Sequence, residues 1–228
     1  PKIQNVPVVV LSNNDGCVIA RSNESKSIGL KMGEPIFKKR DLVNKYNIRL
    51  FSSNFALYGD ISKRVFDIVA KDVPAYEIYS IDEAFLDFSG IKDPYNYALH
   101  LRDKVKRWTG IPISIGISYT KTLSKVAGHI AKKSSDGVCL LNNEGRIDKI
   151  LGSLPVDEIW GVGMRYAMKL KKYDIHTAKD LRGCDESWVR KMMNVVGLRM
   201  VRELKCIPHF NLEEDRSCLL YTSDAADD

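Results

Sequence analysis

The segment YSIDEAFLD, residues 79–87, places two carboxylates side by side among apolar residues. On one continuous strand Asp82 and Glu83 would point to opposite faces, because side chains alternate along a strand. At a bend between two strands the two side chains can converge. Asp-Glu is a less favourable sequence for a hairpin turn than Asn-Gly. A residue pair that disfavours the local turn indicates a functional reason for the two acids.

A cation would explain why two acids are kept together in such a place. Two ionised carboxylates within a few ångströms repel each other, so the pair persists when it is protonated or when a cation lies between its members. Magnesium prefers oxygen ligands, takes one or two carboxylates from a protein and completes its shell with water and substrate phosphates. The pair therefore predicts a hard divalent metal site, and the alternative is a solvated turn with two surface acids.

A row of lysines follows in the segment TKTLSKVAGHIAKK, residues 120–133. Its apolar residues recur at the i, i+3, i+4, i+7 spacing of a helix that faces a core. At about 100° per residue, Lys121, Lys125 and Lys132 fall within roughly 40° of one another on the opposite side. Because a solvated face normally mixes signs, this row indicates a contact with phosphates, with an ordinary solvated face as the alternative.

The segment RSNESKSIG, residues 21–29, predicts a short helix that Ser22 or Asn23 caps. Free amides at a helix start favour an anion, and Arg21 and Lys26 add nearby positive charge. Taken alone, this is also the pattern of an ordinary capped helix.

The segment WGVGMR, residues 160–165, introduces another basic helix. Glycines at a two-helix junction, here Gly161 and Gly163, let backbone amides approach a phosphate closely, as in a helix-hairpin-helix that grips nucleic acid without reading its sequence. Arg165 and Lys169 follow on the helix. Helix junctions use glycine for other reasons too, so this motif is weak by itself.

Composition describes a globular chain with a basic excess. The chain has 228 residues, of which 44% are apolar, and a net charge of +6; residues 213–228 carry −5, so residues 1–212 carry +11. This excess suits a polyanionic partner. The five cysteines form no C-x-x-C pair, which indicates neither a zinc site nor a disulfide framework. No run has the length of a membrane span or the pattern of a signal peptide, so we expect no membrane partner and a cytoplasmic location.

Hydrophobic periodicity predicts an α/β unit with mixed strand order, followed from about Pro155 by a small helical domain. The predicted strands are residues 6–11, 17–20, 76–81, 84–88, 111–118 and 137–141. The predicted helices before residue 155 are residues 22–28, 55–72, 97–108 and 120–133.

Five segments, in this order and at these separations, resemble the Y-family translesion DNA polymerases. They are SNNDGCVIARSNESKSIGLKMGEPIFK, FSSNFALYGDISKRV, EIYSIDEAFLDFSG, ISIGISYTKTLSKVAGHIAKK and LPVDEIWGVGMRYAMKL. The resemblance covers about residues 1–214, and its S-I-D-E-A core is highly specific.

The resemblance implies an α/β (α+β) right-hand polymerase palm with small fingers, followed by an all-α helix-hairpin-helix thumb. The implied domains are a partial palm at 1–11 and 66–154, fingers at 12–65, a thumb at 155–212 and an unstructured or foreign tail at 213–228. The family also implies a palm strand with a further metal-binding aspartate upstream of Pro1, and a little-finger domain beyond the tail.

Residue roles carry over where the motifs match. Asp82 matches the metal-binding aspartate and Glu83 the neighbouring catalytic glutamate, which also serves the metal. Lys26, Lys132 and Arg21 are the implied nucleotide contacts. Asn23 stands where many relatives carry a tyrosine that contacts the triphosphate. The predicted DNA contacts are Lys121, Lys125, Gly161, Gly163, Arg165 and Lys169.

The implied reaction is two-metal phosphoryl transfer, with two Mg²⁺ ions, or Mn²⁺ in their place, at the primer 3′-hydroxyl and the nucleotide α-phosphate. The implied partners are primer-template DNA, deoxynucleoside triphosphates, a UmuD-type accessory protein, a sliding clamp and a recombinase filament. Two other classes stay open at this point: a DNA-binding module without chemistry, and a nucleotide cyclase, against which the helix-hairpin-helix segment argues.

Overall fold

The computed structural model describes residues 3–213, so the predicted tail lies outside it from residue 214 onward. The described chain is mixed α/β, as predicted. It divides into two compact units, with the boundary between Asp60 and Ile61. Within residues 3–213, every helix is too short or too polar to span a bilayer.

The first unit contains a three-stranded sheet in the order β2-β1-β3. The β-branched run at its centre pairs antiparallel with β2 and parallel with β3. The sequence predicted β1, β2 and α1, but it missed α2 and β3. The elements are β1 (Val8–Leu11), β2 (Val18–Arg21), α1 (Asn23–Ser27), a 3-10 turn (Ile36–Lys39), α2 (Arg40–Lys45) and β3 (Arg49–Ser52).

The connections in this unit follow local side-chain chemistry. Asn14 Oδ1 accepts hydrogen bonds from the Gly16 amide at 3.1 Å and the Ser12 hydroxyl at 2.8 Å, which closes the β1–β2 turn. Asp15 lies in that turn with a φ of 53°. Ser22, one of the two predicted caps, accepts a hydrogen bond from the Ser25 amide at 3.3 Å and so begins α1.

The second unit joins an antiparallel pair, β4 and β5, to a parallel pair, β6 and β7, whose connection is the helix α5. Parallel strands need such a crossover. The helix α3 (Phe55–Val69) contains the boundary between the units. The later elements are β4 (Tyr76–Ile78), β5 (Ala84–Leu86), α4 (Pro94–Thr109), β6 (Ile115–Ser118), α5 (Lys121–Ala131), β7 (Val138–Leu141), α6 (Glu144–Ser153), a 3-10 turn (Val156–Glu158), α7 (Met164–Lys171), α8 (Ala178–Gly183) and α9 (Glu186–Leu204).

A glycine in β6 sets how closely α5 lies on the sheet. A Cβ atom at Gly116 would stand 2.0 Å from the Gly128 amide nitrogen and 2.5 Å from the Ser124 carbonyl oxygen. Only glycine therefore allows this approach of strand and helix. The close approach fixes the position of α5, which carries the lysine row.

Two apolar clusters support the second unit. One lies between α3 and α4, and the other runs from α5 through α9 without a break at Pro155. The predicted domain division at residue 155 stays a prediction. The helix α9 is interrupted at Asn194, whose φ is 62° and whose Oδ1 accepts a hydrogen bond from the Val196 amide at 2.8 Å.

Candidate active site

The two carboxylates lie in the bend between β4 and β5, where the sequence placed them. Ile78 pairs with Ala84 across the two antiparallel strands. The carbonyl of Glu83 accepts hydrogen bonds from the Tyr79 and Ser80 amides, both at 3.3 Å. Residues 79–83 are therefore a backbone-bonded turn and not a continuous strand.

Asp82 is the exposed member of the pair. Its Oδ1 accepts a hydrogen bond from the Ser80 hydroxyl at 2.7 Å, and its amide donates to the same hydroxyl at 3.3 Å. This local loop orients the carboxylate at the tip of the bend and leaves the residue open to solvent.

Glu83 is held by groups from two elements. Its Oε1 accepts a hydrogen bond from Lys125 Nζ at 2.7 Å, and its Oε2 accepts one from the Tyr79 hydroxyl at 2.8 Å. Lys125 Nζ also donates to the Tyr79 hydroxyl at 2.7 Å. Lys132 Nζ lies 3.8 Å from Oε1. Two members of the predicted lysine row thus meet the carboxylate pair at Glu83.

These contacts determine the ionisation of the site. Burial raises the pKa of Glu83, but the hydrogen bonds from Lys125 and Tyr79 and the charge of Lys132 outweigh it, so that the pKa is lowered overall. Burial and the adjacent Glu83 raise the pKa of Tyr79 above its ordinary value. Glu83 is therefore an anion, and Tyr79 a neutral hydrogen-bond donor, at physiological pH.

Lys121, a predicted DNA contact, forms an ion pair inside the protein. Its Nζ lies 2.5 Å from Oε2 of Glu77 in β4, and the two side chains are only 10% and 16% exposed. It also donates to the Asn211 carbonyl at 2.8 Å. A role of Lys121 at DNA stays a prediction, and it would require this ion pair to open.

Aromatic rings pack beneath the bend. The rings of Tyr79 and Phe85 stack with centroids 4.7 Å apart, and Trp160 contacts both rings. The ring of Phe210 also contacts Trp160, with centroids 6.2 Å apart. These ring contacts hold the Tyr79 side chain, whose hydroxyl donates to Glu83 Oε2.

The predicted nucleotide contacts of the first unit have partners within that unit. Arg21 Nη1 donates to the Leu30 carbonyl at 2.5 Å, while its Nε is buried without a hydrogen-bond partner. Lys26 Nζ lies 3.4 Å from Asn23 Oδ1 on the exposed side of α1. The assignment of Arg21 and Lys26 to a nucleotide stays a prediction.

The glycine segment 161–163 leads directly into α7. Gly161 adopts a φ of 90°, which favours glycine, and Gly163 is the residue before the helix, without a side-chain cap. The first amides of a helix have no acceptor within it. Arg165 is exposed near this end, whereas Lys169 donates to the Met192 carbonyl at 3.3 Å.

Two carboxylates at the bend are the oxygen donors available to a divalent metal. Within residues 3–213, no group of three or more His, Cys, Asp and Glu side chains is placed to hold a metal ion. Asp82 fits, because an exposed carboxylate is what Mg²⁺ takes from a protein. Glu83 fits as a second oxygen ligand through the lone pairs that are not used by the hydrogen bonds from Lys125 and Tyr79.

Comparison with known proteins agrees with this architecture. Residues 1–129 match the family model described as the impB/mucB/samB family. Protein UmuC of Salmonella typhimurium is 44% identical over 220 residues, which are 94% of this chain and 52% of that protein. The chain thus spans about half the length of the curated relatives it matches.

Solved structures give the class of fold. An insertion ternary complex of Dbh DNA polymerase aligns with a TM-score of 0.78 and 22% identity over 93% of this chain and 64% of that one. A Y-family DNA polymerase chimera, Dbh-Dpo4(243-245)-Dbh, aligns with a TM-score of 0.75 and 22% identity over 91% of this chain and 62% of that one. The fold is that of the Y-family DNA polymerases, which confirms the predicted resemblance. The chain belongs to the impB/mucB/samB family.

Proposed function

We propose that the chain is the catalytic portion of a lesion-tolerant DNA polymerase, which transfers a nucleotide to a primer 3′-hydroxyl opposite a template base. The observation that carries this proposal is the position of Asp82 and Glu83 in the β4–β5 bend, with Lys125 and Lys132 of the α5 region beside them. Family membership supports it.

Each residue has a separate task in this proposal. Asp82 is the exposed metal ligand, and Glu83 is the neighbouring catalytic carboxylate, which also serves the metal. Lys132, whose side chain is 68% exposed, is free to reach nucleotide phosphates, with Arg21 and Lys26 as the proposed contacts from the fingers. Two Mg²⁺ or Mn²⁺ ions would supply the charge that stabilises the attacking and leaving oxygens.

The proposed architecture follows the family. Residues 1–11 and 66–154 would form part of the palm, 12–65 the fingers and 155–212 a helix-hairpin-helix thumb. In the thumb, the amides after Gly161 and Gly163 and the exposed Arg165 would contact the duplex backbone, where such contacts position a protein without reading sequence.

For the whole protein we propose a role in DNA repair and SOS mutagenesis in the cytoplasm. Its partners would be primer-template DNA, deoxynucleoside triphosphates, a UmuD-type accessory protein, a sliding clamp and a recombinase filament. The resemblance to UmuC supports this assignment.

Primer extension past an abasic site tests the function. The chain, joined to its natural flanking sequence, is expected to extend the primer in Mg²⁺ or Mn²⁺, and Asp82→Ala is expected to abolish extension. Asp103→Ala, at an exposed position of α4, is the matched control and should retain it. Extension that persists in Asp82→Ala removes Asp82 from the mechanism.

A DNA-binding module without chemistry is the second candidate. The observation that favours it is that Lys125 already balances the charge of Glu83. This module would shift primer-template DNA with a salt-dependent affinity but give no extension with either metal.

A further inference from the structure

The ammonium of Lys125 lies directly against Glu83, one of the two proposed metal ligands. It lies 2.7 Å from Glu83 Oε1 and 2.7 Å from the Tyr79 hydroxyl, which itself bonds Oε2. One cation and one phenol therefore engage both oxygens of this carboxylate. Lys125 Nζ also lies 5.3 Å from the centroid of the Tyr79 ring, and this cation–π contact further holds the ammonium in place.

The surroundings give Lys125 few other anions to pair with. Of the neighbouring acids, Glu77 is paired with Lys121 at 2.5 Å, and Asp82 is oriented by Ser80. The Lys125 and Glu83 side chains are 24% and 34% exposed, so the pair is only partly screened by water. Lys125 is thus the main internal counter-charge of Glu83.

We propose that Lys125 is a resident counter-ion of Glu83, which competes with a divalent cation for that carboxylate and regulates its entry. The inference rests on the proposed function, because it concerns the same metal site. When a cation binds Glu83, the ammonium gives up its bond to Oε1 and is free to meet an anion such as a nucleotide phosphate. Lys125 is then a positioning residue for Glu83, in contrast to its predicted role at DNA.

Competition for Glu83 predicts that removal of Lys125 raises the cation affinity of the site. A lysine that served only to support the fold would, when removed, lower the cation affinity of the site or leave it unchanged. Removal of a counter-ion instead deprives the carboxylate of its positive neighbour and raises cation affinity.

Mn²⁺ binding to the full chain, measured from the electron paramagnetic resonance signal of free Mn²⁺, tests the inference. We expect Lys125→Met to raise the Mn²⁺ affinity at least about threefold, since partial exposure reduces but does not remove the charge effect. Lys125→Arg keeps the charge and should restore the affinity of the unchanged chain. Circular dichroism spectra establish that each variant is folded, and Lys125→Gln replaces Lys125→Met if the latter does not fold.

Lys133→Met is the matched control, because it removes one positive charge two residues beyond α5, and its ammonium contacts His129 at 2.8 Å and not Glu83. An equal rise in Lys133→Met, or no rise in Lys125→Met or Lys125→Gln, overturns the inference. Asp82→Asn separates the two proposals. If Asp82→Asn weakens Mn²⁺ binding but Lys125→Met does not change it, only the inference about Lys125 is wrong. If Asp82→Asn leaves Mn²⁺ binding unchanged, both the proposed metal site and the inference are wrong.

Discussion

The buried carboxylate of Glu203 accepts two hydrogen bonds from Thr122, one from the amide and one from the hydroxyl, each at 2.8 Å. Its second oxygen accepts from the amides of His209 and Phe210 at 3.2 and 3.0 Å. One fully buried side chain therefore joins the start of α5, the end of α9 and the segment that follows α9. Since α5 carries Lys125, this link also orients the candidate active site.

Glu203→Gln should lower the free energy of unfolding by about 2–4 kcal/mol, because the new amide group cannot accept the bonds on one side and leaves buried donors unpaired. Urea unfolding followed by circular dichroism measures the change. Glu144→Gln is the control: its side chain is 83% exposed, and we expect a change within about 0.5 kcal/mol. Equal effects in the two variants would contradict the assigned role of Glu203.

Elements with a strong local pattern could be predicted from the sequence. The apolar stripe of α5, the cap at Ser22 and the two strands around the carboxylate pair are visible within short windows. The strand β3 was missed because all four of its residues are exposed, so that no alternation of apolar and polar residues marks it.

The partners of the site residues could not be predicted, because they come from distant parts of the chain. Glu77 is 44 residues from Lys121, and Glu203 is 81 residues from Thr122. The lysine row was predicted as a phosphate contact, which stays a prediction, whereas the ion pairs of Lys121 with Glu77 and of Lys125 with Glu83 were not predicted. Tyr79 was missed as well, although it lies within the quoted motif, because its hydroxyl acts only through the bend that the fold creates.

The contact between β6 and α5 can be tested with a pair of glycine variants. Gly116→Ala should lower the free energy of unfolding by at least about 3 kcal/mol, since its Cβ would collide with the backbone at Gly128, 2.0 Å away. Gly128→Ala meets nothing within 4 Å and lies inside a helix, so it should raise the free energy of unfolding by about 0.5–1 kcal/mol. Urea unfolding of both variants gives opposite signs if the close approach is correct.

The largely buried ion pair of Glu77 and Lys121 should contribute more to stability than an exposed pair. Lys121→Met leaves Glu77 uncompensated at 16% exposure, and we expect a loss of about 2–3 kcal/mol in the free energy of unfolding. Lys171→Met breaks the ion pair in which Lys171 Nζ lies 2.7 Å from Asp157 Oδ1 and the side chains are 45% and 46% exposed. We expect this variant to lose less than about 1 kcal/mol in the free energy of unfolding.

The same variant should loosen the segment after α9. Glu77 Oε2 accepts a hydrogen bond from the Glu213 amide at 2.7 Å, and Lys121 donates to the Asn211 carbonyl. Hydrogen exchange at the Glu213 amide should therefore become faster in Lys121→Met than in Lys171→Met. Unchanged exchange would show that other contacts hold this segment.

A pH-dependent contribution to stability is expected from Tyr95 in α4 and Asp136 on the loop before β7. The Tyr95 hydroxyl, with help from Ser134, holds the pKa of Asp136 at about 2, below its ordinary 3.8. A carboxyl group with a lowered pKa in the folded state stabilises the fold above the unfolded value, and this contribution is lost as the pH falls through the folded value. Tyr95→Phe should therefore destabilise the chain near neutral pH, and the difference should shrink as the pH approaches 2.

Urea midpoints of both proteins across this range measure the difference in stability, with Tyr119→Phe as the control. The Tyr119 hydroxyl donates to the Asn142 carbonyl at 2.6 Å, and because a carbonyl does not titrate, the effect of Tyr119→Phe should stay constant with pH. A constant effect of Tyr95→Phe would show that Asp136 is not the group its hydroxyl stabilises.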